Sequence, residues 1–182
     1  PRERPFAILG ESFSGPLAVM LAAAPAHAPW CRALILSASF VHNPLPAFAH
    51  LKSLIDLVPI DLLPKRLIVD YFLGDTDDER LMQQLLNVSA RLAPAAWRAR
   101  VKAALAVDVA PALQNIAAPV LYLRARQDRL VPPTQAELVK QLAPQTQIVD
   151  VDAPHFLLQV APRRAAQEVG DFIVQTMLGE GE

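Results

Sequence analysis

Cysteine is almost absent from this chain: Cys31 stands alone among 182 residues. One thiol cannot close a disulfide or build a multi-cysteine zinc site within the chain, and ahead of an apolar strand it reads as a small core residue. A basic surplus is also missing. The formal net charge is −1, whereas a nucleic-acid binder normally carries a basic footprint. Arg98, Arg100 and Lys102 form the local basic cluster, and they read as a solvated helix face. No run of about 18 apolar residues occurs, which excludes a transmembrane helix. The Ala-, Leu- and Met-rich stretch from Gly15 to Ala26 is broken by prolines and ends at His27. No signal-peptide pattern, internal repeat, low-complexity tract or metal-spaced His/Asp/Glu cluster is seen. These absences leave an expectation of a soluble cytoplasmic protein acting on a small molecule, with no nucleic acid, membrane, metal or cofactor involved.

What is present is mostly apolar. Hydrophobic residues make up 53% of the chain and charged ones 19%, the balance of an ordered globular protein rather than a disordered one. The length allows one good core and a small subdomain. Phe6–Leu9, Ala33–Ser37, Val120–Arg124 and Gln147–Val151 read as strands. The first three are short, nearly continuous apolar runs, the pattern of parallel strands buried on both faces. Helical patterns alternate with them at Gly15–Ala26, Pro133–Leu142 and Pro162–Met177, which implies right-handed crossovers and an α/β fold with helices on both faces of a parallel sheet.

The segment 43–117 breaks that rhythm. It holds four helical patterns and no convincing strand, so the expected organisation is a core of 1–42 and 118–182 with a helical lid inserted between. Leu45, Phe48, Leu51, Ile55 and Val58 form one stripe. Asp61 caps a second helix running to Phe72, with Pro64 in its first turn and Gly74 at its end. Asp77 or Asp78 caps a third, and Pro94 opens a fourth in which Trp97, Val101 and Leu105 align. These stripes are too apolar to face water, and they are expected to cover the carboxyl ends of the strands.

Chemistry enters at Gly10-Glu11-Ser12-Phe13-Ser14-Gly15, where an apolar strand meets a serine flanked by small residues and then a helix. A sharp strand-to-helix turn presents a hydroxyl well, but it is strained and crowded, so small residues are needed two positions either side of the serine. Ser14 departs mildly from the glycine usual there. A serine hydroxyl needs a histidine to take its proton, and the histidine needs a carboxylate to fix its tautomer. Asp128 follows the third strand and His155 the fourth, both at carboxyl ends where α/β sites assemble. His27, at a helix end, His42, just after the second strand, and His50, in the lid, compete with His155, and Asp150 and Asp152, within or just after the fourth strand, compete with Asp128.

The glycine-flanked serine, the Asp128-x-x-Val-Pro turn and His155, in the order Ser, Asp, His, resemble the α/β-hydrolase superfamily from its nucleophile strand onward. The lid is similar to that of carboxylesterases of the pimeloyl-carrier-protein methyl ester type. The resemblance implies a serine hydrolase of a carboxylic ester or thioester, with Ser12 as nucleophile, His155 as base and then acid, Asp128 as orienting carboxylate and the Phe13 N–H in the oxyanion hole. Phe48, Leu51, Phe72 and Trp97 would line a hydrophobic acyl or ring site. Carbon–carbon bond hydrolases and cofactor-free haloperoxidases share the triad, and a non-catalytic small-ligand binder is a further alternative. A halide-displacing dehalogenase needs a carboxylate where Ser12 stands. Two departures matter. Pro154 replaces the glycine usual before the histidine, and four further strands expected ahead of Phe6, with the loop giving a second oxyanion donor, have no counterpart. The chain is therefore expected to be the C-terminal portion of a longer protein and, alone, a poor catalyst.

Overall fold

The computed structural model describes residues 4–58, 62, 64–74, 76 and 78–178. Asp61 and Asp77, weighed above as helix caps, lie outside the described residues, as do the side chains of Phe48 and Leu51. Four strands, β1 (Phe6–Glu11), β2 (Cys31–Ser37), β3 (Val120–Ala125) and β4 (Gln147–Val151), form one sheet in the order β1-β2-β3-β4. Every pairing is parallel. Helices α1 (Ser14–Ala23), α2 (Lys65–Leu73), α3 (Glu79–Arg91), α4 (Pro94–Ala104), α5 (Ala110–Leu113), α6 (Thr134–Leu142), α7 (Leu157–Val160) and α8 (Pro162–Leu178) follow in chain order. A 3₁₀ helix, Pro46–Leu57, precedes α2.

The apolar runs of β2 and β3 are buried because helices cover both faces. On one face Ala18 and Val19 of α1, Leu113 of α5 and Val139 of α6 close over Leu34, Leu36, Val120 and Tyr122. On the other, Leu157 of α7 and Phe172 of α8 cover Ile35, Leu121 and Leu123. Each such large side chain contributes roughly 1.5–3 kcal/mol by leaving water. The register sets Glu11 against Ser37, Ser37 against Leu123 and Leu123 against Val149. β1 and β2 end at this row and β3 and β4 two residues beyond it, so the loops after all four strands lie at one edge of the sheet. The fold is an α/β-hydrolase-like parallel sheet with a helical insertion between β2 and β3.

The insertion starts and stops where local chemistry dictates. Asp78 accepts the Leu81 N–H at 2.9 Å and caps α3. Pro94 opens α4, and Gly74 ends α2 at φ 62°, a left-handed conformation that glycine adopts cheaply. The expectation that every apolar stripe turns inward needs correction. Val69 and Leu73 of α2 and Met82 of α3 are buried, with Phe156 and Val160 packed against them, but α4 buries no residue. Two polar bonds tie it to the 3₁₀ helix and the residue after it: Arg98 donates to the Val58 carbonyl at 2.9 Å and Lys102 pairs with Asp56. Leu54, Leu57, Leu67 and Val88 stay exposed. With only part of each stripe docked, the helical period marks a face without fixing what covers it.

Candidate active site

β1 ends in a turn that no ordinary residue enters freely. Ser12 has φ 52°, a conformation that costs an L-residue of order 1–3 kcal/mol and persists only when its surroundings fix it. Three hydrogen bonds do so here. The Ser12 N–H donates to the Ser37 carbonyl at 2.9 Å, and the Ser12 carbonyl accepts from the Gly15 N–H at 3.0 Å and from Ser39 Oγ at 2.8 Å. Crowding explains the glycines. A Cβ on Gly10 would stand 2.7 Å from the Gly15 Cα, and one on Gly15 would stand 1.7 Å from Ser39 Oγ. Ser14, the departure noted above, braces the turn: its Oγ accepts the Glu11 N–H at 2.8 Å and donates to the Glu11 carbonyl at 2.7 Å. A glycine there could make neither bond.

The other two candidates arrive from the ends of β3 and β4. His155 Nε2 lies 2.7 Å from Ser12 Oγ, and His155 Nδ1 lies 2.9 Å from Asp128 Oδ2. An ionised carboxylate can only accept, so Nδ1 carries the proton and Nε2 is left to accept from the serine hydroxyl. The His155 and Asp128 side chains are 1% and 4% exposed. Asp128 is held in turn, because its Oδ1 accepts the Leu130 and Val131 N–H groups at 2.8 and 2.9 Å. No acceptor takes the Phe13 N–H among the described residues.

The competing residues go elsewhere. Asp150 accepts two hydrogen bonds from Arg124, and Asp152 accepts from Gln127 at 2.9 Å. His42 faces Asp108 at 3.7 Å, His27 packs edge-on against Phe6, and His50 is exposed on the 3₁₀ helix. Phe72 reaches the site: its ring centroid is 5.4 Å from that of His155 and 5.2 Å from that of Phe156, and its carbonyl accepts the Phe156 N–H. Trp97 is half-buried on α4, whose contacts run to the 3₁₀ helix. Pro154, in the place of the usual glycine, is buried against Gly74, where a Cβ would stand 3.1 Å from the Pro154 Cβ.

Sequence reasoning missed the supports behind these groups. Tyr122 on β3 donates its hydroxyl to the Ser39 carbonyl, and Ser39 holds the Ser12 carbonyl. Burial pushes the Tyr122 hydroxyl well above its ordinary pKa, so it remains a donor. Tyr71 of α2 donates to the Arg129 carbonyl, tying the insertion to the Asp128 loop. Only chain-distant partners reveal these roles. A cleft of about 300 Å³ borders Asp128 among Arg124, Arg126, Pro133 and Asp150, without Ser12 or His155 in its lining. Among the described residues no group of three or more His, Cys, Asp or Glu is arranged to hold a metal ion, and no helix is long and apolar enough to cross a membrane.

A family model described as the alpha/beta hydrolase fold matches residues 100–162. A thermophilic esterase from Thermogutta terrifontis superposes with a TM-score of 0.76 at 19% identity, covering 95% of this chain and 66% of its own. The enol-lactonase from Burkholderia xenovorans gives 0.72 at 19%, covering 93% and 65%. A lipase-esterase related protein from Clostridium acetobutylicum gives 0.75 at 17%, covering 93% and 67%. No curated protein matches the chain in sequence. The fold is that of the α/β hydrolases, the superfamily resemblance drawn from the sequence is supported, and the chain spans about two thirds of these structures' length.

Proposed function

We propose that this chain carries the catalytic residues of a serine hydrolase that cleaves a carboxylic ester or thioester bearing a hydrophobic acyl or ring group. The observation that carries the reading is the unbroken hydrogen-bonded series Ser12–His155–Asp128, with the serine held at a strained left-handed turn. Ser12 Oγ adds to the substrate carbonyl as its proton passes to His155 Nε2. Asp128 keeps Nδ1–H in place and stabilises the imidazolium. The oxyanion accepts from the Phe13 N–H. Collapse expels the alcohol or thiol, which takes the proton from His155. The acyl-enzyme is then hydrolysed by a water that His155 deprotonates. On this reading 43–117 is a lid, and Phe72, with its ring against His155, is a lid residue beside the chemistry. Phe48, Leu51 and Trp97 are proposed to extend the same apolar wall.

Fluorophosphonate labelling of the full-length protein, with the modified residue located by peptide mass spectrometry, tests this directly. Label on Ser12, lost in S12A together with p-nitrophenyl ester turnover, is the expected result. Unchanged turnover in S12A would end the proposal.

A further inference from the structure

Glu11 is the last residue of β1, immediately before Ser12, and its carboxylate does not turn towards Ser12 or Asp128. It crosses to α7, immediately after His155. Oε1 accepts the Leu158 N–H at 3.1 Å, and Oε2 accepts from Gln159 Nε2 at 2.8 Å. Leu158 lies in the first turn of a four-residue helix, so its N–H has no partner within that helix and needs an outside acceptor. The main chain of Glu11 is fixed independently by Ser14 on both sides of the peptide. Leu157 is fully buried, and its N–H donates to the His155 carbonyl at 2.9 Å, so α7 cannot shift without moving His155.

These contacts close a circuit. Ser12 is bonded through the chain to Glu11, Glu11 through hydrogen bonds to Leu158, Leu158 through three peptide links to His155, and His155 Nε2 back to Ser12 Oγ at 2.7 Å. Bonds to an ionised carboxylate are roughly twice as strong as neutral ones. We propose that Glu11 is a positioning residue that sets the Ser12–His155 separation by clamping α7 to the serine turn. The proposal rests on the serine-hydrolase reading for its catalytic consequence and on the geometry alone for its structural one. Glu11 touches neither reacting atom, so its effect belongs on kcat and not on substrate binding.

The test compares E11A, E11Q and Q159A in the full-length protein. Steady-state kinetics on a p-nitrophenyl ester and crystal structures of each variant supply the readouts. E11A is expected to lower kcat by about 10- to 100-fold, the scale of a misplacement near 1 Å. KM should stay within about twofold, and Ser12 Oγ should lie beyond hydrogen-bond reach of Nε2 in the crystal. E11Q keeps an acceptor for the Leu158 N–H and can pair its amide with that of Gln159, so it should recover most of kcat. Q159A removes one donor from an exposed position and should cost less than E11A. It decides the matter if E11A does not fold, because wild-type kcat in Q159A would then overturn the clamp. Wild-type kcat in E11A, a change confined to KM, or E11Q as impaired as E11A would also overturn it. An unmodified protein that neither turns over ester nor labels at Ser12, with an E11A crystal that still separates the pair, would reject the reaction and retain the clamp.

Discussion

The two edges of the sheet are finished differently, and the candidate site is strung between them. β4 turns polar residues outward: Gln147 and Asp150 are its exposed positions, and Asp150 is engaged by Arg124. β1 exposes Leu9 at 44%, and beside it α1 exposes Leu17, Met20 and Leu21 at 50–56%. Charge and satisfied polar groups are how a sheet edge is protected in water, while an exposed apolar stripe such as Leu17, Met20 and Leu21 on one face of α1 invites further packing. Ser12 comes from the apolar flank and His155 from the polar one. His155 therefore rests on a self-sufficient flank, and Ser12 rests on one that calls for further packing.

The largest effect is expected on the polar side. Asp128→Asn can keep the Oδ1 acceptor for the Leu130 and Val131 N–H groups, so the loop should hold. Its amide nitrogen would then face Nδ1 and force the proton onto Nε2, leaving nothing to accept from Ser12. A loss in kcat of about 10⁴-fold is the expected scale for the wrong tautomer. Nitrogen-15 NMR of the imidazole should show Nε2 protonated. A mild loss with the tautomer unchanged would detach Asp128 from the mechanism.

The apolar side should respond in stability. If Leu17 is covered in the full-length protein, Leu17→Glu should cost at least about 1.5–3 kcal/mol, since it removes an apolar contact and buries a charge. On the opposite flank, Gln147→Glu should stay within about 0.5 kcal/mol. Residues 1–182 alone should invert the first result. There Leu17→Glu should weaken self-association in sedimentation without a stability cost. Denaturant titration of both variants in both chain lengths reads the contrast, and a neutral Leu17→Glu in the full-length protein would make this flank ordinary surface.

The same contrast shows why some of the molecule was legible in the sequence. β2 and β3 are buried on both faces, so their apolar runs announce them. The predicted strand ending at Leu9 extends to Glu11 because the backbone there still pairs with Ser37. The serine turn, the Asp128 loop and His155 are legible because each chemistry sits at a strand end. The insertion is less so: the stripe from Leu45 to Val58 gives a helical period, and the chain winds it as a 3₁₀ helix. α5 and α7 span four residues each, too short for any period to register. Glu11, Ser39 and Tyr122 left no signal, because their partners are far away in the chain and only folding identifies them.

The smallest expected effect concerns the polar flank's own finish. The hydrogen bond from Arg124, reinforced by that residue's charge, holds the Asp150 carboxyl below its ordinary pKa of 3.8. A carboxylate whose pKa is lowered on folding binds its proton more readily when unfolded. The stability it adds is therefore complete above the unfolded pKa and fades as pH falls through the lower folded value. The pair is exposed, Asp150 by 44% of its side chain, so its contribution should lie at or below about 1 kcal/mol and shrink further in salt. Asp150→Asn should lower stability at pH 7 by no more than that amount, and the two proteins should converge as pH falls through the folded pKa, so the variant shows the smaller fall. Urea titrations at pH 3 and pH 7, at low and high salt, measure that difference of differences. An Asp150→Asn variant that is badly destabilised at pH 7 would mean that Arg124 needs this partner to stay ordered, and that the β4 edge is less self-sufficient than its polar surface indicates.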